Sequence, residues 1–240
     1  MSEAFRIIGT ARFGGILVVS DHASNHVPDD IALGIAPDLL DQHIAVDIGV
    51  AKVGAIMAQR TGIAAFQGAV SRLVCDFNRE EDAAAVVPVE SDGHAVPGNV
   101  LDAAGREARL ARFFRPYHDA LADLLANVPQ ALIVSLHSFT PRLASRDEPR
   151  PWHVGVLYNE DDRAARKAIP LLEAEGLCVG DQLPYSGRLL NATMNRHAER
   201  EGRPYLGIEV RQDLIADAAG QAAWAARLAR IANQVALEIG

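Results

Sequence analysis

The chain is poor in several features that would assign it to a large class. Cysteine is scarce: Cys75 and Cys178 are the only two, far apart and without metal-type spacing. Each sits in an apolar run, so both read as buried free thiols and no disulfide framework is expected. No apolar run approaches the roughly 18 residues needed to span a bilayer. The start, Met1-Ser2-Glu3-Ala4-Phe5, lacks the basic-then-apolar order of a secretory leader, so the expected location is the cytoplasm. Excess positive charge is also missing. The formal charge is -8, which argues against nucleic acid as a partner, because phosphate binding needs basic clusters. Gly14-Gly15 precedes the first apolar strand, the wrong side for a phosphate loop. No Gly-x-Ser-x-Gly elbow occurs, which removes the usual serine-hydrolase signature.

What is present is a regular alternation of strand and helix patterns. Apolar residues make up 49% of the 240, enough to bury a full core. Strands are predicted at Ile16–Ser20, Val70–Cys75, Ala131–Leu136, His153–Leu157 and Tyr205–Val210. Helices are predicted over 45–61, 102–126, 161–175 and 218–239, the first closed by Gly62 and the third by Gly176. Residues 82–99 have no clean period and read as a long loop. No linker or repeat interrupts the pattern, so 1–240 is taken as one domain. The expected class is α/β: a mixed, mostly parallel sheet with helices on both faces, a three-layer sandwich. The Ala-rich helix from Ala218 is an ordinary packed helix or a dimer face, which leaves monomer and homodimer both open.

In such a sheet the ligand site lies beyond the carboxyl ends of the strands. Polar residues follow those ends closely. Asp21 and His22 follow the first strand; Asp76, Asn78 and Arg79 follow the second; His137 follows the third; Glu209 and Arg211 close the last. Two histidines at matching strand ends suggest a catalytic zinc, which needs one more protein ligand and a place for water. Asp47, opening the first helix, is the favoured third ligand. Asn25, three residues after His22, is the alternative, although an uncharged amide oxygen is a poor zinc ligand. Asp21 adjoins His22, and neighbours on a strand point to opposite faces. His26, His43 and His94 read as solvated, His118 as packing or support, and His153 as structural.

Four blocks in this order carry a resemblance: Ser20-Asp21-His22-Ala23-Ser24-Asn25; Ser71-Arg72-Leu73-Val74-Cys75-Asp76-Phe77-Asn78-Arg79; Leu136-His137-Ser138; and Gly207-Ile208-Glu209-Val210-Arg211-Gln212-Asp213-Leu214-Ile215. Together they resemble the N-formylglutamate amidohydrolase family, over about residues 13–236. That family is similar in turn to the zinc carboxypeptidases and aspartoacylases, which implies a carboxypeptidase-like, phosphorylase/hydrolase-like fold. The resemblance matches Ser135–Phe139 to the second-histidine strand of those enzymes. It matches Asp76–Arg79 to a segment holding the substrate carboxylate, and Ile208–Arg211 to the strand bearing the general base. One departure is visible: those relatives carry Glu three residues after the first His, where this chain has Asn25.

The implied activity is hydrolysis of the amide of an N-acyl amino acid, N-formyl-L-glutamate by family likeness, with one zinc per chain. Two histidines and a carboxylate also accept iron, cobalt or manganese. Glu209, flanked by Ile208 and Val210, is the expected general base, its pKa raised by burial; an ion pair with Arg211 is the bland alternative. Arg79 offers a planar fork for a substrate carboxylate with Asn78 beside it, unless it merely pairs with Glu80 or Glu81. Arg72 is a second anion contact or oxyanion stabiliser. The segment Leu183–Arg188 resembles the family's substrate-side loop, which implies substrate contacts for Tyr185 and Arg188. His197 is a candidate supporting or acid group, and Arg211 a candidate substrate contact. Two rivals stand: a metallopeptidase or amidase on a peptide or cell-wall fragment, and a non-catalytic carboxylate binder.

Overall fold

The structure, a computed structural model, describes residues 3–145 and 148–239. Its strands are β1 (Phe5–Ile8), β2 (Ile16–Ser20), β3 (Ile63–Gly68), β4 (Glu90–Ser91), β5 (His94–Ala95), β6 (Leu132–Phe139), β7 (Val154–Leu157), β8 (Val179–Asp181) and β9 (Tyr205–Arg211). Its α-helices are α1 (Val50–Met57), α2 (Ala103–Arg109), α3 (Arg115–Asn127), α4 (Arg163–Glu173), α5 (Ala192–His197) and α6 (Ala218–Ile239). A π-type turn over Leu110–Phe114 joins α2 to α3. No helix among the described residues is long and apolar enough to cross a membrane.

Seven strands form one sheet in the order β1-β3-β2-β6-β9-β7-β8. The central strands β3, β2, β6 and β9 run parallel, and β1 and β7 pair antiparallel with them. This is the mixed, mostly parallel sheet the sequence predicts. β2, β3 and β6 are buried at every residue, as expected of strands covered on both faces. Adjacent residues of β3 show the two covers. Gln67 donates from Nε2 to the Ala51 carbonyl of α1, whereas Phe66 packs edge-on against Tyr117 of α3. Helices therefore lie on opposite faces, making three layers. α6 packs against α1 and α4 and buries Trp224, Leu228, Ile231 and Val235. The Ala-rich face is thus a core contact.

Several boundaries differ from expectation. The second central strand is Ile63–Gly68, not Val70–Cys75. Residues 70–75 form a buried turn instead, in which the Ser71 hydroxyl donates to the Ala45 carbonyl and accepts from the Leu73 amide. Periodicity cannot distinguish a short buried apolar turn from a buried strand. The first helix begins at Val50, after Gly49. Gly49 has φ of 82°, and a Cβ there would collide with the Ile215 carbonyl. Asp47 therefore lies in the turn before the helix. Cys75 is buried, and burial pushes its thiol pKa up, but Cys178 is exposed. The loop 82–99 contains the small hairpin β4–β5.

Candidate metal centre

β2 and β6 run parallel as neighbours, so the chain that leaves β2 brings His22 close to His137 near the end of β6. The ring centroids are 5.0 Å apart. The Asp47 amide donates to the His22 carbonyl, which turns the Asp47 side chain between the two rings. Asp47 Oδ2 lies 3.4 Å from His22 Nδ1 and 2.9 Å from His137 Nδ1. One donor atom from each of the three residues falls within 4.8 Å of the other two, so the cluster can hold a metal ion. Asn25 lies elsewhere, its amide donating to Asp41.

The outer nitrogen of each ring meets a second acid. His22 Nε2 is 2.7 Å from Asp76 Oδ1, and His137 Nε2 is 3.3 Å from Asp21 Oδ2. A histidine that gives its Nε2 proton to a carboxylate presents a bare lone pair at Nδ1. At His22 that lone pair faces the Asp47 carboxylate, which is repulsive unless a cation sits between them, whereas His137 Nδ1 is 2.9 Å from Asp47 Oδ2 and its Nε2 has no hydrogen-bond partner. His22 Nδ1 is buried without a hydrogen-bond partner, which fits a metal ligand. None of the five residues is more than 6% exposed. Burial opposes ionisation of Asp47, Asp76 and Asp21, yet the surrounding histidines and, for Asp76, Arg72 hold all three carboxyls below the usual range. Burial also opposes charge on His22 and His137, but the acids raise both pKa values. The site is built to accommodate positive charge.

The supporting acids are themselves anchored. Asp76 accepts from Arg72 Nη2 at 2.9 Å and from the Asn78 amide at 3.0 Å. Asp21 accepts from the Tyr117 hydroxyl at 2.7 Å and Thr193 Oγ1 at 3.0 Å. Sequence inspection noted both acids at strand ends but missed this role. No local pattern reveals it, because the histidines they hold are 54 and 116 residues away.

A cavity of about 150 Å³ opens over the cluster. Glu209, Arg72, Asn78, Arg79 and Tyr185 line it together with His22, Asp47 and His137. Glu209 is paired in register with His137 on the neighbouring strand. Burial pushes its carboxyl up to about 7, and its Oε2 has no hydrogen-bond partner. It makes no pair with Arg211, whose guanidinium binds Asp213 at 2.7 Å and the carbonyls of Pro151 and Trp152. Arg79 is 3.8 Å from Asp76, and Glu81 pairs with Arg115 instead. Asn78 Oδ1 accepts from the Thr193 amide, leaving its NH2 group to donate.

Three expected contacts are not brought to the cavity. Arg188 is exposed and does not line it, and Arg211 is engaged as described. His197 is buried on another face, where its Nε2 lies 2.9 Å from His118 Nδ1; burial lowers the two to about 4 and about 3. His43, expected in solvent, lines the cavity, and its Nε2 meets Asp92 at 2.9 Å. Ser138, Phe139, Thr140 and Leu190 complete the wall and were not anticipated as site residues.

Comparison with known proteins follows the same line. Structurally, the chain is similar to a gene product of Agrobacterium tumefaciens, with 31% identity, a TM-score of 0.93, and coverage of 99% of this chain and 96% of that one. It also superposes on N-formylglutamate amidohydrolase from Ralstonia eutropha at a TM-score of 0.77 and 18% identity, covering 98% of each chain, which shows a shared fold. No curated protein matches by sequence. The family description "N-formylglutamate amidohydrolase" matches residues 14–216, most of the chain and every residue of the metal cluster. The chain belongs to the N-formylglutamate amidohydrolase family.

Proposed function

We propose that this chain is a metal-dependent hydrolase that cleaves the amide of an N-acyl amino acid, N-formyl-L-glutamate being the first candidate. The observation that carries the reading is one small cavity lined by the His22–Asp47–His137 cluster, by Glu209 and by Arg79. At about 150 Å³ it is below the roughly 300–1,000 Å³ of pockets for drug-sized ligands, and suits an amino-acid-sized substrate. His22, Asp47 and His137 would hold a divalent ion, which would supply Lewis acidity to an amide carbonyl and to water. Zinc suits this ligand set.

The side chains divide the remaining work. Glu209, a buried carboxyl on the cavity wall, accepts a proton from water and returns it to the leaving nitrogen. Arg79 and the Asn78 amide hold a substrate carboxylate by charge-assisted hydrogen bonds. Arg72 binds Asp47 and Asp76 and so fixes one metal ligand and the acid behind another, and its position on the cavity wall lets it face charge developing on the carbonyl oxygen. Tyr185 lies on the same wall as a substrate contact.

The test is formate release by zinc-loaded protein from N-formyl-L-glutamate, compared with N-formyl amino acids bearing neutral side chains and with dipeptides. Preference for the N-formyl acidic substrate, lost in His137→Ala, is expected. Cleavage of dipeptides alone would move the assignment to a peptidase. Metal-loaded, folded protein inert to every N-acyl acidic amino acid would overturn the reading.

A further inference from the structure

Arg150 is a buried guanidinium, 8% exposed, just before β7. Among the described residues it pairs with no carboxylate. Its Nη1 donates to the Tyr185 hydroxyl oxygen at 2.9 Å and to the Thr140 carbonyl at 3.3 Å, and its guanidinium carbon stands 5.0 Å from the Tyr185 ring centroid. Buried charges without a counter-ion are costly and are normally paired. Arg72, by contrast, has both terminal nitrogens on acids.

Tyr185 supplies the second half of the argument. A phenol has one proton to donate. Its oxygen already accepts from Arg150, and no described residue accepts its proton. Tyr185 lines the cavity with Arg72, Arg79 and Glu209. A hydroxyl that accepts from a cation is a stronger donor, because the cation stabilises charge drawn onto the oxygen.

We propose that Arg150 is a positioning residue acting through Tyr185. It holds the phenol oxygen from behind, commits the phenol proton to the cavity, and backs it with an unneutralised charge, so that the pair recognises a carboxylate of the substrate. This deepens the proposed function and rests on it for the identity of the substrate. The missing counter-ion of Arg150 is then supplied, one hydroxyl away, by the bound ligand.

The experiment is a double-mutant cycle read by calorimetric binding of L-glutamate to zinc-loaded protein, with metal content and melting temperature measured alongside. Tyr185→Phe keeps the ring beneath Arg150 and removes only the hydroxyl. Both Tyr185→Phe and Arg150→Met are expected to weaken binding about tenfold, the size of one charge-assisted hydrogen bond. The double variant is expected to be no weaker than either single one, and Arg150→Lys to recover most of the loss. In turnover the loss falls on KM, with kcat little changed. If Arg150→Met weakens binding as much in the Tyr185→Phe background as in wild type, Arg150 does not act through the hydroxyl and the inference fails. It also fails if wild type binds no glutamate, or if Tyr185→Phe binds as tightly as wild type. Should Arg150→Met not fold, Arg150→Gln combined with Tyr185→Phe closes the same cycle. Glutamate binding that follows the cycle in a protein that hydrolyses no N-acyl amino acid would leave this inference standing and remove the assigned reaction.

Discussion

At the residue scale the candidate metal centre rests on five side chains, two histidines and three aspartates, drawn from four stretches of chain. His22 and His137 were visible in the sequence because each stands at the end of an apolar strand. Asp76 and Asp21 were visible only as strand-end acids, since their work is done on the outer nitrogens of the two rings. That work predicts a measurable effect. Asp76→Asn keeps the shape but weakens the hold on the His22 proton, and metal affinity should fall about 10–100-fold in a chelator competition. An unchanged affinity would make Asp76 a partner of Arg72 alone. Glu209→Gln should retain the metal and lower kcat by about 10²–10⁴-fold, the usual worth of a positioned acid–base group. Equal loss of metal and rate would mean that Glu209 acts as a ligand. Arg211 and His197 show why residue type is not enough: a nearer acid and a second histidine claim them.

At the element scale the site depends on how the chain enters α1. Asp47 reaches the rings because the turn before the helix passes through a left-handed residue, Gly49, pressed against the Ile215 carbonyl. Gly49→Ala adds both strain and a collision. It should destabilise the fold by about 1–3 kcal/mol in urea unfolding and weaken metal binding by moving Asp47. Loss of stability with intact metal affinity would separate the turn from the site. On the opposite face, Tyr117 stacks on Phe77 at 4.0 Å, meets Phe66 edge-on at 5.0 Å and donates to Asp21. The core and the candidate metal centre share this residue. Sequence reading placed β2, β6, β7, β9 and the long helices well, because long periodic runs are the strongest signal. It missed β3, an Ala-rich strand following directly on a helical pattern, and it took the buried turn at 70–75 for that strand.

At the scale of the whole molecule, metal and protons act on the folding equilibrium. An ion bound only by the folded chain stabilises it, by about 2.7 kcal/mol at a hundredfold excess over its Kd. Zinc should therefore raise the melting temperature of chelated protein, and His137→Ala should erase the rise. Away from the site, burial keeps His118 and His197 neutral, with pKa values of about 3 and about 4 against an unfolded value near 6.5. Their folded values are depressed, so below about pH 6.5 the unfolded chain binds more protons and stability falls as pH drops toward 4. His197→Gln should flatten that fall, by up to about 1.4 kcal/mol per pH unit, in urea unfolding at pH 7 and pH 5. Parallel curves for the two proteins would mean that the pair is already solvated.

The sequence by itself determined the α/β class, the two histidines, the strand-borne glutamate and the family, because each is written in short-range order: apolar runs, their ends and contiguous blocks. Tertiary structure alone decided that Asp47 and not Asn25 shares the space between the rings, that Asp21 and Asp76 hold the outer nitrogens, and that Arg150 stands behind Tyr185. Those relations join residues 25 to 116 positions apart, and one-dimensional order carries no distance across a sheet. Packing sets them, through the register of β2, β6 and β9 and the turn at Gly49.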